Sequence, residues 1–119
     1  MTAMDQDEDD SMKTTDVTAF QERVYRALSR VPRGKVTTYK RLAQSIRCDS
    51  CRAVGQALRC NPFAPRVPCH RVIASDLTVG GFQGKTAGGP IRRKLALLAA
   101  EGVLFKDGRL ADKSRLHTY

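Results

Sequence analysis

The sequence predicts a mainly α-helical fold, a winged helix-turn-helix with short β-hairpins. Two short amphipathic helices follow each other across a tight turn in residues 38–59, which is the pattern of a helix-turn-helix. A further helix and a hairpin pattern follow in residues 91–110 and supply the wing. Because 119 residues suit one small domain, we expect a single folded domain over residues 17–119, preceded by an acidic disordered tail over residues 1–16.

Capping residues and apolar spacing set the expected helix ends. Apolar residues recur on one helical face from Phe20 to Val31, and Thr18 with Gln21 has the sequence of a capping box. Thr38 and Ser50 are expected to cap the two helices of the helix-turn-helix pair. The buried face of the second helix in that pair is expected to consist of Ala53, Val54, Ala57 and Leu58.

Prolines shape the segment that follows the helix pair. Asn61-Pro62 is expected to end the second helix, and Pro65 and Pro68 are expected to keep the backbone extended up to Cys69. On an extended chain, neighbouring side chains point to opposite faces. Contact between the side chains of Cys69 and His70 would therefore need a turn or a bridging water.

Two hairpins and one helix complete the predicted elements. Val72-Ile73 and Val79 flank a turn at residues 76–78, a pattern that predicts a small hairpin. Residues 91–100 have the amphipathic spacing of a helix, with a proline in its first turn. An Asp-Gly turn at residues 107–108 predicts the final hairpin.

Charge is distributed unevenly along the chain. Residues 1–16, here called the acidic leader, contain six acids and one base, for a net charge of −5. Residues 17–119 contain 20 basic and 6 acidic residues, for a net charge of +14. This basic excess favours a polyanionic partner, with nucleic acid the first candidate, although a merely solubilising surface has the same composition. The leader is poor in apolar residues and can shield the basic face weakly.

The lengths of the apolar runs and the spacing of the cysteines bear on where the protein is located and on whether it binds a metal. No apolar run is long enough for a membrane helix, and the N-terminus lacks the order of a secretory signal. We therefore expect an intracellular protein without membrane contact, nuclear in a eukaryote and cytoplasmic in a prokaryote. Cys48 and Cys51 have CxxC spacing, but no second pair follows at zinc-finger distance, so no metal site is expected. We interpret Cys48, Cys51 and Cys60 as ordinary thiols.

The stretch Pro68-Cys69-His70-Arg71-Val72 is the most informative about chemistry. A cysteine reacts as its thiolate and needs a base or a positive field to lower its pKa. A neighbouring histidine is suggestive of such a base. Taken alone, however, a Cys-His pair is weak evidence, because a buried structural cysteine has the same appearance in a sequence.

The order of motifs around this stretch resembles that of O6-alkylguanine-DNA alkyltransferases. The sequence is similar to that family's C-terminal domain from about Phe20 to Leu110, through a helix-turn-helix with Arg52, then Asn61-Pro62, Val67 to Ile73, Gly80 to Gly84 and Glu101-Gly102-Val103. The resemblance implies a single-turnover DNA-repair enzyme that takes an alkyl group from O6 of guanine after the base is flipped out of the duplex. It also implies double-stranded DNA containing O6-alkylguanine as the partner, no cofactor, and a monomer.

The resemblance assigns catalytic roles to five residues. Cys69 matches the alkyl acceptor, and His70 and Glu101 match the pair that withdraws the thiol proton through a water. Asn61 matches the residue that braces the active-site turn through hydrogen bonds. Tyr39 matches the tyrosine that helps to rotate the nucleotide and polarises the departing base.

The resemblance also implies a DNA-binding surface and a guanine pocket. Arg52 matches the arginine that fills the stack where the base has left, and the helix that follows it enters the minor groove. The DNA-binding residues are expected to be Thr38, Tyr39, Arg52, Ala53, Gly55, Gln56 and Arg59. The pocket is expected to be lined by Val72, Gly80, Phe82, Gln83, Gly84 and Lys94.

Each of these residues also has a plain structural interpretation. Tyr39 alone would suit a cap on the core, and Arg52 a solvated surface residue. Asn61 before a proline is a common helix stop, and Glu101 would suit a helix end at the surface. Their joint placement around the Cys-His pair favours the functional interpretation.

Departures from the family pattern leave three hypotheses. The family's N-terminal α/β domain has no counterpart in this sequence, and its Tyr-Ser-Gly stretch is Phe82-Gln83-Gly84 here. The first hypothesis is a suicide alkyltransferase. The second is an alkyltransferase-like protein that binds the lesion and flags it for excision repair without efficient transfer; such proteins lack the cysteine that is present here as Cys69. The third, which charge and fold alone predict, is a winged-helix transcription factor.

Overall fold

The structure, a computed structural model, describes residues 17–63 and 66–119. The acidic leader, predicted to be a disordered tail, lies outside the described residues, as does Pro65. Four α-helices and two two-stranded sheets make up the described part of the chain. This architecture confirms the predicted mainly α-helical class with short strands.

The first helix, α1, spans Ala19–Leu28. Its N-terminus has the predicted capping box, because the Thr18 hydroxyl accepts from the Gln21 backbone N–H at 3.0 Å and the Gln21 side chain accepts from the Thr18 N–H at 3.0 Å. The helix ends three residues before the predicted end at Val31, which is nevertheless fully buried.

The helix-turn-helix pair consists of α2, Tyr39–Ser45, and α3, Cys51–Arg59. The Thr38 hydroxyl caps α2 by accepting from the Arg41 N–H at 3.1 Å, and the Ser50 hydroxyl caps α3 by accepting from the Ala53 N–H at 3.0 Å. Both caps were predicted. Of the predicted buried face of α3, Val54 and Ala57 are buried, whereas Ala53 and Leu58 are half-buried.

The first sheet corrects one predicted hairpin. Strand β2, Val72–Ile73, pairs in parallel with strand β1, Thr37–Thr38, and not with Val79. The predicted turn does form, with the Ala74 N–H donating to the Thr78 carbonyl at 3.0 Å. The hairpin prediction was wrong because the partner strand lies some 35 residues upstream, beyond the reach of a local pattern.

The last helix and the wing follow the prediction. Helix α4 spans Gly89–Ala100, and strands β3, Phe105–Lys106, and β4, Arg109–Leu110, form an antiparallel hairpin. Asp107 and Gly108 both have positive φ, at 53° and 82°, which is the requirement of a two-residue hairpin turn with primed geometry. The C-terminal residues then return to β1, where Val36 forms a parallel bridge with Leu116.

Two apolar clusters lie on either side of the short parallel sheet. Val72 belongs to the cluster formed by α1, α2 and α3, and the next residue, Ile73, belongs to the cluster formed with α4 and the wing. The alternation of side chains along a strand explains this division. The sheet therefore joins the helix-turn-helix to the wing, and Cys69 lies just before it. Within the described residues, the longest helices are too short or too polar to cross a bilayer.

Tyr25 gives a test of how α3 is held against α1. Its ring is fully buried, and its hydroxyl donates to the Ala57 carbonyl of α3 at 2.7 Å. We expect Tyr25→Phe to lower the free energy of unfolding in urea by about 1–2 kcal/mol, because the Ala57 carbonyl loses this buried hydrogen bond and keeps the longer one from the Cys60 N–H at 3.2 Å. Tyr119→Phe is the matched control, since its hydroxyl donates to Ala27 at 3.0 Å from a 41% exposed side chain. An equal loss in the two variants would contradict this assignment.

Candidate active site and nucleic-acid-binding surface

Cys69 opens a tight turn between Pro68 and strand β2. Residues Cys69–Arg71 form one turn of 3₁₀-helix, closed by the Arg71 N–H donating to the Pro68 carbonyl at 2.9 Å. The Cys69 N–H also donates to the Val67 carbonyl at 2.9 Å, so the backbone already turns at Pro68 and is not extended up to Cys69 as the prolines suggested. Cys69 is half-buried and His70 is buried. The turn therefore leaves the Cys69 side chain partly accessible and places the His70 side chain in the interior.

Glu101 lies at the centre of a buried ionic network behind this turn. Its two carboxylate oxygens accept from Nε and Nη2 of Arg71, both at 2.9 Å, a two-pronged geometry. Nε2 of His70 lies 3.0 Å from Oε2 of the same carboxylate. The remaining Arg71 nitrogen, Nη1, donates to the Val31 carbonyl beyond the end of α1 at 2.9 Å. The network thus ties the turn to α1 and to the end of α4.

The network fixes the ionisation of Glu101 and, with it, the orientation of the histidine. Burial raises the pKa of Glu101, but the hydrogen bonds and charges of Arg71 and His70 outweigh burial and lower it to about 2. An ionised carboxylate only accepts hydrogen bonds, so Nε2 of His70 carries a proton. In neutral His70, Nδ1 is then the basic nitrogen. Within the described residues no hydrogen bond joins the His70 ring to the Cys69 thiol.

Asn61 braces the loop that leads into the turn. Its side-chain Nδ2 donates to the Val67 carbonyl at 2.9 Å, and its Oδ1 accepts from the Phe63 N–H at 2.9 Å. The side chain thus spans the loop from one end to the other. This is the geometry that the bracing role requires.

Opposing effects act on the pKa of the Cys69 thiol. Burial raises its pKa, whereas a hydrogen bond from Asn61, the charge of Lys94 and nearby backbone N–H groups lower it, and burial dominates. The thiol is therefore protonated at neutral pH in the resting protein. Formation of the thiolate needs a base close by.

Lys94 does not line the cavity, contrary to the prediction. Its side chain is fully buried, and its Nζ donates to three carbonyls, those of Val72 and Val79 at 2.6 Å and that of Gly81 at 2.9 Å. Burial lowers the pKa of Lys94 to about 8. The lysine therefore fastens α4 to β2 and to the loop that walls the cavity.

A cavity of about 550 Å³ opens beside the Cys69 side chain. The residues predicted for catalysis, DNA binding or the pocket that line it are Tyr39, Arg52, Gly55, Gln56, Arg59, Cys69, Phe82, Gln83 and Gly84. Three predicted pocket residues, Val72, Gly80 and Lys94, are not among the residues that line it. The remaining lining residues were not predicted and are Cys51, Leu58, Ala74, Ser75, Gly81, Lys85 and Thr86.

Tyr39 and the loop after β2 lie against each other in the wall of this cavity. Tyr39 is half-buried, and burial followed by the nearby Cys69 raises the pKa of its hydroxyl. Gly80 has a φ of 73°, and a Cβ there would lie 3.1 Å from the Ala74 nitrogen and 3.5 Å from the Tyr39 ring. Glycine at this position therefore allows the loop to lie against the tyrosine.

The predicted DNA-binding residues divide into two groups. Arg52, Gln56 and Arg59 are exposed on α3 and line the rim of the cavity, and Gly55 lies between them. A Cβ at Gly55 would meet no atom within 4 Å, so this face of α3 is open. Thr38, in contrast, is buried and its hydroxyl caps α2. Its side chain is therefore structural in this protein.

Comparison with known proteins identifies the family. A family model described as the DNA-binding domain of 6-O-methylguanine DNA methyltransferase matches residues 19–103, which include Tyr39, Cys69 and Glu101. The chain belongs to the 6-O-methylguanine DNA methyltransferase family. This membership confirms the resemblance that the motifs around Cys69 suggested.

Individual relatives in the family differ in length. A methylated-DNA–protein-cysteine methyltransferase of Saccharolobus islandicus is 45% identical over 84 residues, which cover 71% of this chain and 51% of that relative. A crystal structure of the O6-methylguanine-DNA methyltransferase of Pyrococcus kodakaraensis has 43% identity and a TM-score of 0.64, covering 73% of this chain and 48% of its own. The S. pombe Atl1 structure, solved in complex with damaged DNA containing O6-carboxymethylguanine, has 27% identity and a TM-score of 0.73, covering 91% of this chain and 100% of its own. This chain thus spans about half the length of the two methyltransferases.

Two features of the site in this family member escaped sequence reasoning. Arg71 was quoted within its motif but was given no role, although it holds Glu101 in place. Lys85 and Thr86 line the cavity because residues 82–85 form a tight turn, in which Phe82 and Lys85 pair. The Gln83-Gly84 pair at its tip was the sequence signal for this turn, and both residues have positive φ. Across residues 17–63 and 66–119, no group of three His, Cys, Asp or Glu side chains is arranged to hold a metal ion.

The Glu101 network predicts a pH dependence of stability. The folded pKa of Glu101, about 2, lies below its ordinary value of 4.5. Its stabilising effect is therefore complete above pH 4.5 and is lost as the pH falls toward 2. We expect the difference in free energy of unfolding between the parent protein and Glu101→Gln, measured in urea, to shrink over that window. Asp49→Asn, at an exposed carboxylate, is the control; a gap that stays constant for Glu101→Gln below pH 4 would refute the assignment.

Proposed function

We propose that this protein repairs DNA by transferring an alkyl group from O6 of guanine to Sγ of Cys69, once per molecule. The single observation that carries this proposal is the position of the Cys69 thiol. It lies between a cavity large enough for a purine base and a buried His70–Glu101–Arg71 network. Family membership supports the same chemistry.

The first step of the proposed reaction is removal of the thiol proton. Because burial keeps the pKa of Cys69 raised, the thiolate forms only when a base accepts the proton during the reaction. Nδ1 of His70 is the nitrogen that the Glu101 contact leaves basic. The proton passes from Sγ through a water to this nitrogen, and ionised Glu101 stabilises the imidazolium that results.

The second step is an in-line displacement at the alkyl carbon. The electron pair of the Sγ thiolate forms the new carbon–sulfur bond, and the carbon–O6 bond breaks with its pair retained by guanine. The departing guanine takes a proton from the Tyr39 hydroxyl, which lines the same cavity, and the tyrosinate recovers a proton from the imidazolium or solvent. The thioether on Cys69 has no leaving group that water can displace, so the acceptor is consumed.

The exposed face of α3 supports DNA as the macromolecular substrate. The O6 substituent of a paired guanine lies within the stacked duplex, so the base must leave the stack before Cys69 can reach it. Arg52 stands at the first turn of α3 and at the rim of the cavity, where it can occupy the vacated position. The Atl1 structure in complex with damaged DNA containing O6-carboxymethylguanine supports DNA with O6-alkylguanine as the partner. We propose that one monomer binds it in double-stranded form.

A lesion-binding protein without transfer is the second candidate function. The observation in its favour is the S. pombe Atl1 structure, whose whole length is matched by 91% of this chain. In this second function, the cavity binds the alkylated base, and the tight complex marks the damaged site for excision repair. The presence of Cys69 at the acceptor position favours transfer.

Intact mass after reaction separates these two functions. We expect the protein, incubated with a duplex carrying one O6-methylguanine, to gain one methyl group (~14 Da) on Cys69 and no more. Cys69→Ser should bind the same duplex without gaining mass. Cys51→Ser is the matched control, because Cys51 lines the same cavity, and it should gain mass like the parent. Binding without any mass gain in the parent would establish the second candidate instead.

Substitution of Arg52 tests whether extrusion of the base limits the rate of methyl transfer. We expect Arg52→Ala to slow methyl transfer at least tenfold while weakening binding to undamaged duplex only about two- to threefold, since one exposed phosphate contact contributes little. Single-turnover rates and duplex titrations measure the two effects. Arg59→Ala, at the other end of the same helix, is the comparison. Equal losses on both measurements would reduce Arg52 to a phosphate contact.

A further inference from the structure

A second, strongly basic cavity lies away from Cys69. It has a volume of about 360 Å³, and four arginines, here called the arginine cluster, line it together with Ser45, Ile46 and Ala27. The cluster consists of Arg23, Arg26, Arg30 and Arg47. None of these residues lines the Cys69 cavity, so the proposed function does not account for them.

Helix geometry and one backbone contact build this cluster. Arg23, Arg26 and Arg30 are spaced three and four residues apart, which puts their side chains on one face of α1 and its C-terminal extension. Nη2 of Arg23 donates to the Ile46 carbonyl at the end of α2. This contact brings Arg47, which follows with a φ of 56°, to the rim of the same cavity.

The cluster concentrates positive charge that the described residues only partly balance. No carboxylate is among the described residues that line the cavity. The nearest acid on α1, Glu22, pairs with Arg26 at 3.4 Å, and both side chains of that pair are half-buried. Four cations around one cavity repel one another, so an anionic occupant would lower the energy of this face.

We propose that the acidic leader of the same chain occupies the arginine cluster. The leader carries a net charge of −5 and ends at residue 16, three residues before α1 begins. The cluster lies along that same helix, within roughly 20 Å of its start. Sixteen residues reach up to ~50 Å when extended, so the leader can fold back along α1.

Covalent attachment makes this contact effective although each exposed ion pair is weak. A short tether holds the leader near the cluster at an effective concentration on the order of millimolar. Exposed pairs are screened by salt, with a Debye length of about 10 Å at 0.1 M and about 3 Å at 1 M. The leader is therefore bound at low ionic strength and released as salt rises.

Docking of the leader has a consequence for polyanion binding. A segment that covers part of the basic surface competes with the phosphate backbone for the same cations. The leader then weakens binding to undamaged nucleic acid, where electrostatic contacts supply nearly all the affinity. A lesion held in the Cys69 cavity gains additional contacts and is affected less. This inference concerns a surface outside the proposed active site and does not depend on alkyl transfer.

A tryptophan reporter tests the contact without any DNA. The chain contains no tryptophan, so Met12→Trp places a unique fluorophore within the leader of the full-length protein. In 20 mM salt we expect its fluorescence anisotropy to be higher than in the same protein carrying Arg30→Gln and Arg47→Gln, and both to converge in 1 M salt. Lys106→Gln with Lys113→Gln removes the same charge from exposed positions outside both cavities and should leave the anisotropy high. Equal anisotropy in all three proteins at low salt would overturn the proposal.

A double-mutant cycle tests the consequence on undamaged duplex. Replacing Asp7, Glu8, Asp9 and Asp10 by their amides should tighten binding about threefold or more at low salt, and this gain should disappear in the Arg30→Gln, Arg47→Gln background. If the cluster binds DNA phosphates but the leader does not occupy it, substitution of the cluster will weaken binding equally with either leader, and the gain will persist. That result would overturn the proposed competition. Because this cycle uses no lesion, failure of alkyl transfer would leave its result unaffected.

Discussion

The salt bridge between Arg71 and Glu101 is the interaction on which the rest of the site depends. A buried carboxylate is stable only when its charge is matched and its oxygens are hydrogen-bonded. Here Arg71 supplies both in a two-pronged contact, and its remaining nitrogen reaches the Val31 carbonyl. Three segments that are far apart in the sequence thus meet at one charge pair. Since Arg71 follows Cys69 by two residues, the pair also fixes where the thiol lies.

A second buried cation completes the framework on the other side of the thiol. Lys94 holds the carbonyls of β2 and of the loop after it, so the wall of the cavity cannot move independently of α4. Its charge favours the thiolate, yet burial still keeps the pKa of Cys69 raised. In the proposed reaction, the cysteine therefore stays protonated at rest and loses its proton to His70 only as it reacts. A protonated thiol is a poor nucleophile, so the resting thiol is protected from other electrophiles.

Local features of the fold could be predicted from the sequence, and features that join distant segments could not. The capping box at Thr18 and the Asp107-Gly108 turn each depend on residues a few positions apart, and both were predicted correctly. The parallel pairing of β1 with β2 depends on a partner far along the chain. The family resemblance implied a pocket position for Lys94, and this prediction was wrong for the same reason: three carbonyls from outside its own helix converge on its Nζ. Family resemblance selected Cys69, His70 and Glu101, and only the fold shows why Arg71 accompanies them.

The altered pocket stretch has different consequences at its two ends. Phe82 is buried and lines the cavity, so its ring gives the cavity an apolar surface where the family's tyrosine would add a hydroxyl. Gln83 lies at the tip of the turn, and its Oε1 accepts from Nη1 of Arg93 at 3.4 Å, a contact directed toward α4. Gln83 still lines the cavity, but its amide is turned toward that helix. Under the proposed function, residue 82 therefore bears on recognition of the base, whereas residue 83 bears on how the turn is fastened to α4.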